Sequence, residues 1–282
     1  MKKFLHSIFS VKALESYWLL LKLHQPVATF ILLWPVMWSA WLAGHGYPDI
    51  LILVIFFCSA FIVNTLACVV DDIAEKDRAT KTAHKKRLLA INAVTLQTAW
   101  FIFFMLGASL ILLMLFLNIK VILLGVIGLI VAAYYPFSKL LQKKRHIFIA
   151  FANAWIILMV FTANEEYVSS IGWIIALATF LWTLLFDNFY KRSDPKFIKK
   201  NKDLFLQTTI LQALITACML VVGVFSHMAP FYYTAIGLML FVFFYQQKLI
   251  KTKETKKNFT AYNTNNSIGL IILLGIILNY FV

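Results

Sequence analysis

The sequence predicts an all-α integral membrane protein whose nine transmembrane helices form two four-helix units plus one, and three observations carry that expectation. The chain of 282 residues is 62% hydrophobic and only 13% charged, with a mean hydropathy of +0.83. A water-soluble core of this size cannot hide so many apolar side chains. Nine apolar stretches, at 26–44, 50–70, 93–117, 119–137, 147–163, 168–187, 204–226, 229–247 and 266–282, are each long enough to cross roughly 30 Å of hydrocarbon as helix. Strand alternation is absent, and unpaired backbone cannot face lipid, so helices are the only reasonable spans. The third observation is where the basic residues fall. With the first span leaving from the cytoplasm, 25 of the 26 Lys and Arg lie in the N-terminal arm or in the 71–92, 138–146, 188–203 and 248–257 loops, and only Lys120 lies opposite. This positive-inside pattern puts the N-terminus in the cytoplasm. The formal charge of +14 therefore reads as topology, and no nucleic-acid partner is expected.

Taken in order, residues 1–22 carry Lys2, Lys3, Phe4, Leu5, Ile8, Phe9, Leu14 and Trp18 in the pattern of an amphipathic helix lying in the interface. They show no small-residue cleavage site of a signal peptide. The first span contains LLWPVMWSAW, where Pro35 should kink the helix. Trp34, Trp38 and Trp41 share one face, as packing or interfacial residues rather than a cavity wall. The fourth span ends in AAYYPFSK, where aromatics, a Pro stop and Lys139 meet. The fifth holds Asn153 and Trp155. The eighth ends in FFYQQKL, followed by a soluble basic linker and then NTNNSIGL at Asn263 to Leu270. Asn258-Phe-Thr260 matches a glycosylation sequon but falls on the cytoplasmic side and is discarded. Cys58, Cys68 and Cys218 have no CxxC spacing and read as core residues. The six histidines are scattered without ligand spacing. No linker marks a second soluble domain, so 1–282 reads as one membrane-embedded domain.

Two stretches break the apolar pattern in the same way. CVVDDIAEKDRATKTAHKKR, from Cys68 to Arg87, follows the second span, and LLFDNFYKRSDPK, from Leu184 to Lys196, follows the sixth. In each, carboxylates stand where the chain leaves the bilayer, with Lys and Arg close behind. Asp71, Asp72 and Glu75 fall at i, i+1 and i+4; Asp187, Tyr190 and Asp194 fall at i, i+3 and i+7. On continuing helices each set shares a face. Four spans separate the clusters, so both emerge on the cytoplasmic side, and together they suggest one shared site at the mouth of a bundle. Hard oxygen donors beside Lys and Arg suit Mg²⁺ bridging to a phosphorylated ligand. Lys81, Arg87 and Lys139 are the candidates for the free phosphate oxygens, Arg87 by a bidentate fork. No GxxxxGK[ST] loop is present, so a P-loop nucleotide site is not supported.

With these residues in view, the sequence resembles the UbiA superfamily of membrane prenyltransferases, most closely its 4-hydroxybenzoate polyprenyltransferase branch. The resemblance runs over almost the whole chain: LHQPVATFILLWPVMWSAWLAG, CVVDD, YYPFSK, FDNFY with Asp194, and FFYQQKLI through NTNNSIGL. It implies a nine-helix bundle with a central cavity open to lipid, in a bacterial inner membrane. The two cytoplasmic acidic motifs would bind Mg²⁺ and the diphosphate of a polyprenyl donor, and the prenyl group would pass to an aromatic acceptor such as 4-hydroxybenzoate, as in ubiquinone-type biosynthesis. Carried onto this chain, the metal candidates are Asp71, Asp72, Glu75, Asp187 and Asp194, with Asp72 and Asp187 as the catalytic pair. Lys22 stands where the family has an Arg by the acceptor, and with Tyr190 is the acceptor-binding candidate.

The chain also departs from the family pattern. In the first motif, NDxxDxxxD, Asp71 replaces Asn, Glu75 replaces Asp, and Ala79 takes the last Asp position. Beyond the second motif, Phe197 and Ile198 stand where an acidic pair follows in the family, in a run rich in Lys. Each lost carboxylate weakens Mg²⁺ binding, whereas each nearby Lys favours the diphosphate. These departures keep a second class open: a catalytically impaired paralogue that binds prenyl lipid or a biosynthetic partner. A transporter is a third class, signalled by substrate accumulation in sealed vesicles.

Overall fold

The computed structural model describes residues 27–79, 94–138, 140–141, 144–192, 204–252 and 254–281. Among them the regular structure is helical: α1 Val27–Ala43, α2 Ile50–Ala79, α3 Leu96–Met114, α4 Ile119–Tyr134, α5 Arg145–Glu165, α6 Ser170–Arg192, α7 Leu204–Phe225, α8 Pro230–Lys251 and α9 Thr255–Tyr280, with a single 3₁₀ turn at Tyr135–Phe137. Eight of these helices are long and apolar enough to cross a membrane; α1 is apolar but shorter. The chain is an integral membrane protein on this evidence.

The chain divides into two compact units, Met1–Thr29 with Cys58–Lys144, and Phe30–Phe57 with Arg145–Val282, so the division falls within α1 and α2. In the first unit α3 packs on α4. Both start at polar caps: the Thr95 hydroxyl accepts from the Thr98 backbone N–H at 3.1 Å, and the Asn118 side chain accepts from that of Val121 at 3.0 Å. Such caps satisfy donors that the first turn leaves open. The 3₁₀ turn brings Phe137 to stack on Trp100 of α3, ring centroids 5.8 Å apart, because Pro136 cannot donate to a continuing helix.

In the second unit α5 packs on α6, α6 on α7 and α9, α7 on α8, and α8 on α9. Its core includes Phe161, Trp182, Phe186, Tyr232 and Met239, all buried. The tryptophans of α1 pack against α9 and its end. The Trp38 indole donates to the Gly269 carbonyl at 3.0 Å, Trp34 lies so close to Gly269 that a Cβ there would sit 2.2 Å from its Cδ1, and Trp41 meets Phe281. The shared face that the spacing predicts is therefore a packing face. α1 continues through Pro35, with the Ser39 hydroxyl donating to the Pro35 carbonyl at 2.7 Å.

Three helices end in left-handed residues that are not glycine: His45 after α1, Glu166 after α5 and His227 after α7. The Gly46 and Met228 N–H groups then return to the Trp41 and Gly223 carbonyls, closing the helix ends.

Two expectations are corrected. Cys58, read as a core residue, is exposed, and Cys68 and Cys218 are only partly buried, on helix faces that the protein does not fully cover. The linker placed after the eighth span is almost entirely helix, since α8 runs to Lys251 and α9 starts at Thr255. The basic residues that suggested a loop, Lys248, Lys251 and Lys256, stay exposed on these helices, while amides nearby turn inward. Asn258, Asn265 and Gln246 are fully buried, and a buried Asn258 is closed to glycosylation on structural grounds as well.

Candidate active site

Both acidic motifs lie on helices that outlast their apolar stretches. α2 continues nine residues beyond 70, and carries Asp71 and Asp72 as ordinary helical positions. Each is only 5% exposed, between Val70 and Ile73, which are also buried. Adjacent carboxylates withdrawn from water carry a desolvation penalty that electropositive neighbours must offset. Glu75 follows one turn after Asp71 on the same helix.

In the second unit α6 continues through Asp187 to Arg192. Asp187 forms an ion pair with Lys191, one turn on, the side chains being 28% and 29% exposed. His146, at the start of α5, interacts electrostatically with both. Tyr190 is largely exposed at 67%, its ring 6.3 Å from Tyr262 of α9. Tyr262 also meets Phe186 edge-on at 5.5 Å, Phe186 meets Trp182 at 5.3 Å, and Trp182 meets Trp38 at 5.6 Å. A continuous row of rings thus runs down the core of this unit from the turn that carries Asp187. Asn153 donates to Thr183 at 3.1 Å, on the same helix as Asp187 and one turn before it.

Beside Tyr262 lies a polar knot built from the FFYQQKL and NTNNSIGL stretches together with Gln212, to which sequence reading gave no structural role. The Gln246 amide N–H₂ contacts Thr264 Oγ1 at 2.9 Å, Asn265 Oδ1 at 3.0 Å and the Ala261 carbonyl at 3.2 Å, and its carbonyl accepts from Gln212 at 2.8 Å. Gln247 donates in turn to Gln212. These residues belong to three separate helices, and amides standing within apolar runs are the physical signal for them in sequence.

The donor set suits a hard divalent cation by chemistry, because every proposed ligand offers carboxylate oxygen. Among the described residues no three His, Cys, Asp or Glu side chains gather closely enough to enclose a metal ion. Asp187 is already engaged by Lys191, so it reaches a metal only by exchange. Asp71 and Asp72 place two carboxylates side by side on one buried stretch of α2. Of the other candidates, Asp194, Lys22, Lys81, Arg87 and Lys139 lie outside the described residues, as does the side chain of Glu75.

Solved structures share this helical architecture. The apo structure of a UbiA homologue from Aeropyrum pernix K1 superposes with a TM-score of 0.71 at 20% identity, over 89% of this chain and 97% of that one. A UbiA homologue from Archaeoglobus fulgidus, bound to GPP and Mg²⁺, gives 0.65 at 16% identity over 93% and 99%. The fold is that of a UbiA-type membrane protein. The UbiA prenyltransferase family profile matches residues 32–268, and the chain belongs to that family. A relative from Providencia stuartii named 4-hydroxybenzoate octaprenyltransferase is 32% identical over 279 residues, 94% of this chain and 96% of its own length.

Proposed function

We propose that this chain transfers a polyprenyl group from its diphosphate to an aromatic acceptor of the 4-hydroxybenzoate type, in a Mg²⁺-dependent reaction at a bacterial inner membrane. The observation that carries the proposal is the near full-length match to relatives named for that reaction. Acidic residues at the ends of the apolar helices α2 and α6 support it. On this reading the chain is one prenyltransferase domain of nine spans, with the N-terminus and both motifs facing the cytoplasm.

Asp71, Asp72, Glu75, Asp187 and Asp194 would hold Mg²⁺, and Lys81, Arg87 and Lys139 would hold the free diphosphate oxygens. Magnesium, when bound, offsets charge on the diphosphate. The protein's own part is to orient the allylic C–O bond and to keep water from the cation that forms when that bond breaks. The diphosphate leaves with the bonding electron pair. A ring carbon ortho to the acceptor hydroxyl supplies the pair for the new C–C bond, and the proton at that carbon is then lost, restoring the ring. Lys22 would pair with the acceptor carboxylate, and Tyr190 would border it.

The test is prenyl transfer by the purified protein in lipid, given a long-chain prenyl diphosphate and 4-hydroxybenzoate with and without Mg²⁺. Metal-dependent product is expected, and full activity in both Asp72→Ala and Asp187→Ala would sink the residue assignment. The neutralised state of Asp187 favours one second reading, a non-catalytic member that binds prenyl diphosphate. Binding untouched by chelation, with no product from any phenolic acid, is its signature.

A further inference from the structure

The ion pair at the end of α6 has a consequence that neither the family's acidic motifs nor the relatives' names contain. A cation on the same helix competes with a metal for a carboxylate. Asp187 nevertheless has Lys191 one turn away, paired with it through Nζ and Oδ2. The pair is electrically neutral, and with roughly seven-tenths of each side chain covered it is not fully screened by water. A divalent cation arriving alone must therefore break the pair and leave Lys191 beside it as a like charge. A diphosphate arriving alone must draw Lys191 from Asp187 and leave that carboxylate facing the anion. Arriving together they remove both penalties, since Asp187 turns to the cation and the flexible Lys191 stem delivers its ammonium to a diphosphate oxygen.

We infer that Lys191 is a resident counter-ion that leaves Asp187 for the diphosphate, making cation and diphosphate binding mutually dependent at the second motif. This rests on the prenyltransferase reading and adds to it a diphosphate-positioning residue. Lys191 would keep the second motif from holding metal without substrate. A lysine in the last turn of a helix also complements the backbone dipole, and an Asp four residues earlier stabilises that turn. Such a role changes helix stability alone, whereas the exchange role changes coupling between two ligands, and coupling is reciprocal.

The experiment uses the full chain in phosphatidylcholine nanodiscs, with Mn²⁺ as a paramagnetic probe for the divalent cation and farnesyl S-thiolodiphosphate as an unreactive donor. Four affinities are measured: Mn²⁺ with and without the analogue, and the analogue with and without Mn²⁺. In wild type each ligand is expected to strengthen the other. In Lys191→Met, Mn²⁺ alone binds about threefold to tenfold tighter, the analogue binds weaker by a similar factor, and the coupling shrinks accordingly. Lys191→Arg, which keeps the charge, retains most of the wild-type coupling. If Lys191→Met binds Mn²⁺ and analogue as wild type does, Lys191 is a helix-end charge and the inference is wrong, with the prenyltransferase reading intact. If wild type fails to bind the analogue even with Mn²⁺, both fall together.

Discussion

The two acidic motifs look alike as sequence and differ as structure. On α2 two neighbouring carboxylates are withdrawn almost completely from water. On α6 a single described carboxylate stands at the edge, over a quarter exposed, and already paired with a lysine. Burial makes the first motif a place where negative charge is expensive, so a cation bound there gains strongly. Pairing with Lys191 balances the charge of Asp187 before any ligand arrives. On the function proposed above, two motifs that read as equivalent ligand sets would divide the work, the buried pair drawing the cation and the paired Asp187 responding when cation and diphosphate come together.

The sharpest way to break this division is to remove its stronger half. Asp72→Ala is expected to lower prenyl transfer by about 10³-fold while the protein still folds, as checked by product formation together with size-exclusion behaviour in detergent. Next comes Asp187→Ala, expected to cost about 10²-fold. A loss equal to that of Asp72→Ala, with the same dependence on Mg²⁺ concentration, would erase the distinction drawn between the motifs. The polar knot provides a structural contrast. Gln246→Leu leaves Gln212 and Asn265 without their amide partner and should cost about 1–2 kcal/mol of stability. A lower Tm is expected there, with the Mg²⁺ dependence of activity unmoved. The smallest effect is expected from Glu75→Gln, a rise of about threefold in the Mg²⁺ concentration needed for half-maximal rate, because it removes one charge from the edge of the first motif.

Much of the fold was legible in the residues because the bilayer imposes a length on every apolar run. The spans at 26–44, 119–137 and 204–226 match α1, α4 with its 3₁₀ turn, and α7 within a few residues. Helix ends were less legible wherever polar residues continue the helix. α2 and α6 run on through their acidic motifs, and α9 begins eleven residues before its apolar stretch, because hydropathy records what faces lipid and cannot see an amide facing another amide. The site was legible in residue type and not in state. The i, i+4 spacing of Asp187 and Lys191 is visible in sequence, yet their pairing depends on the helix continuing past the apolar run. The burial of Asp71 and Asp72 follows from tertiary packing, which no local pattern encodes.

The knot formed by Gln246, Gln212 and Asn265 also bears on how the protein is made. α8 and α9 are the two least apolar of the eight candidate spans, and only Thr252–Glu254 separate them. Taken singly, each would carry unsatisfied amides into hydrocarbon during biosynthesis. Side by side, Gln246 and Asn265 satisfy each other, so the last two spans should leave the translocon as a hairpin. A nascent chain truncated before α9 would then insert α8 poorly, and glycosylation-tag mapping of such truncations would report it.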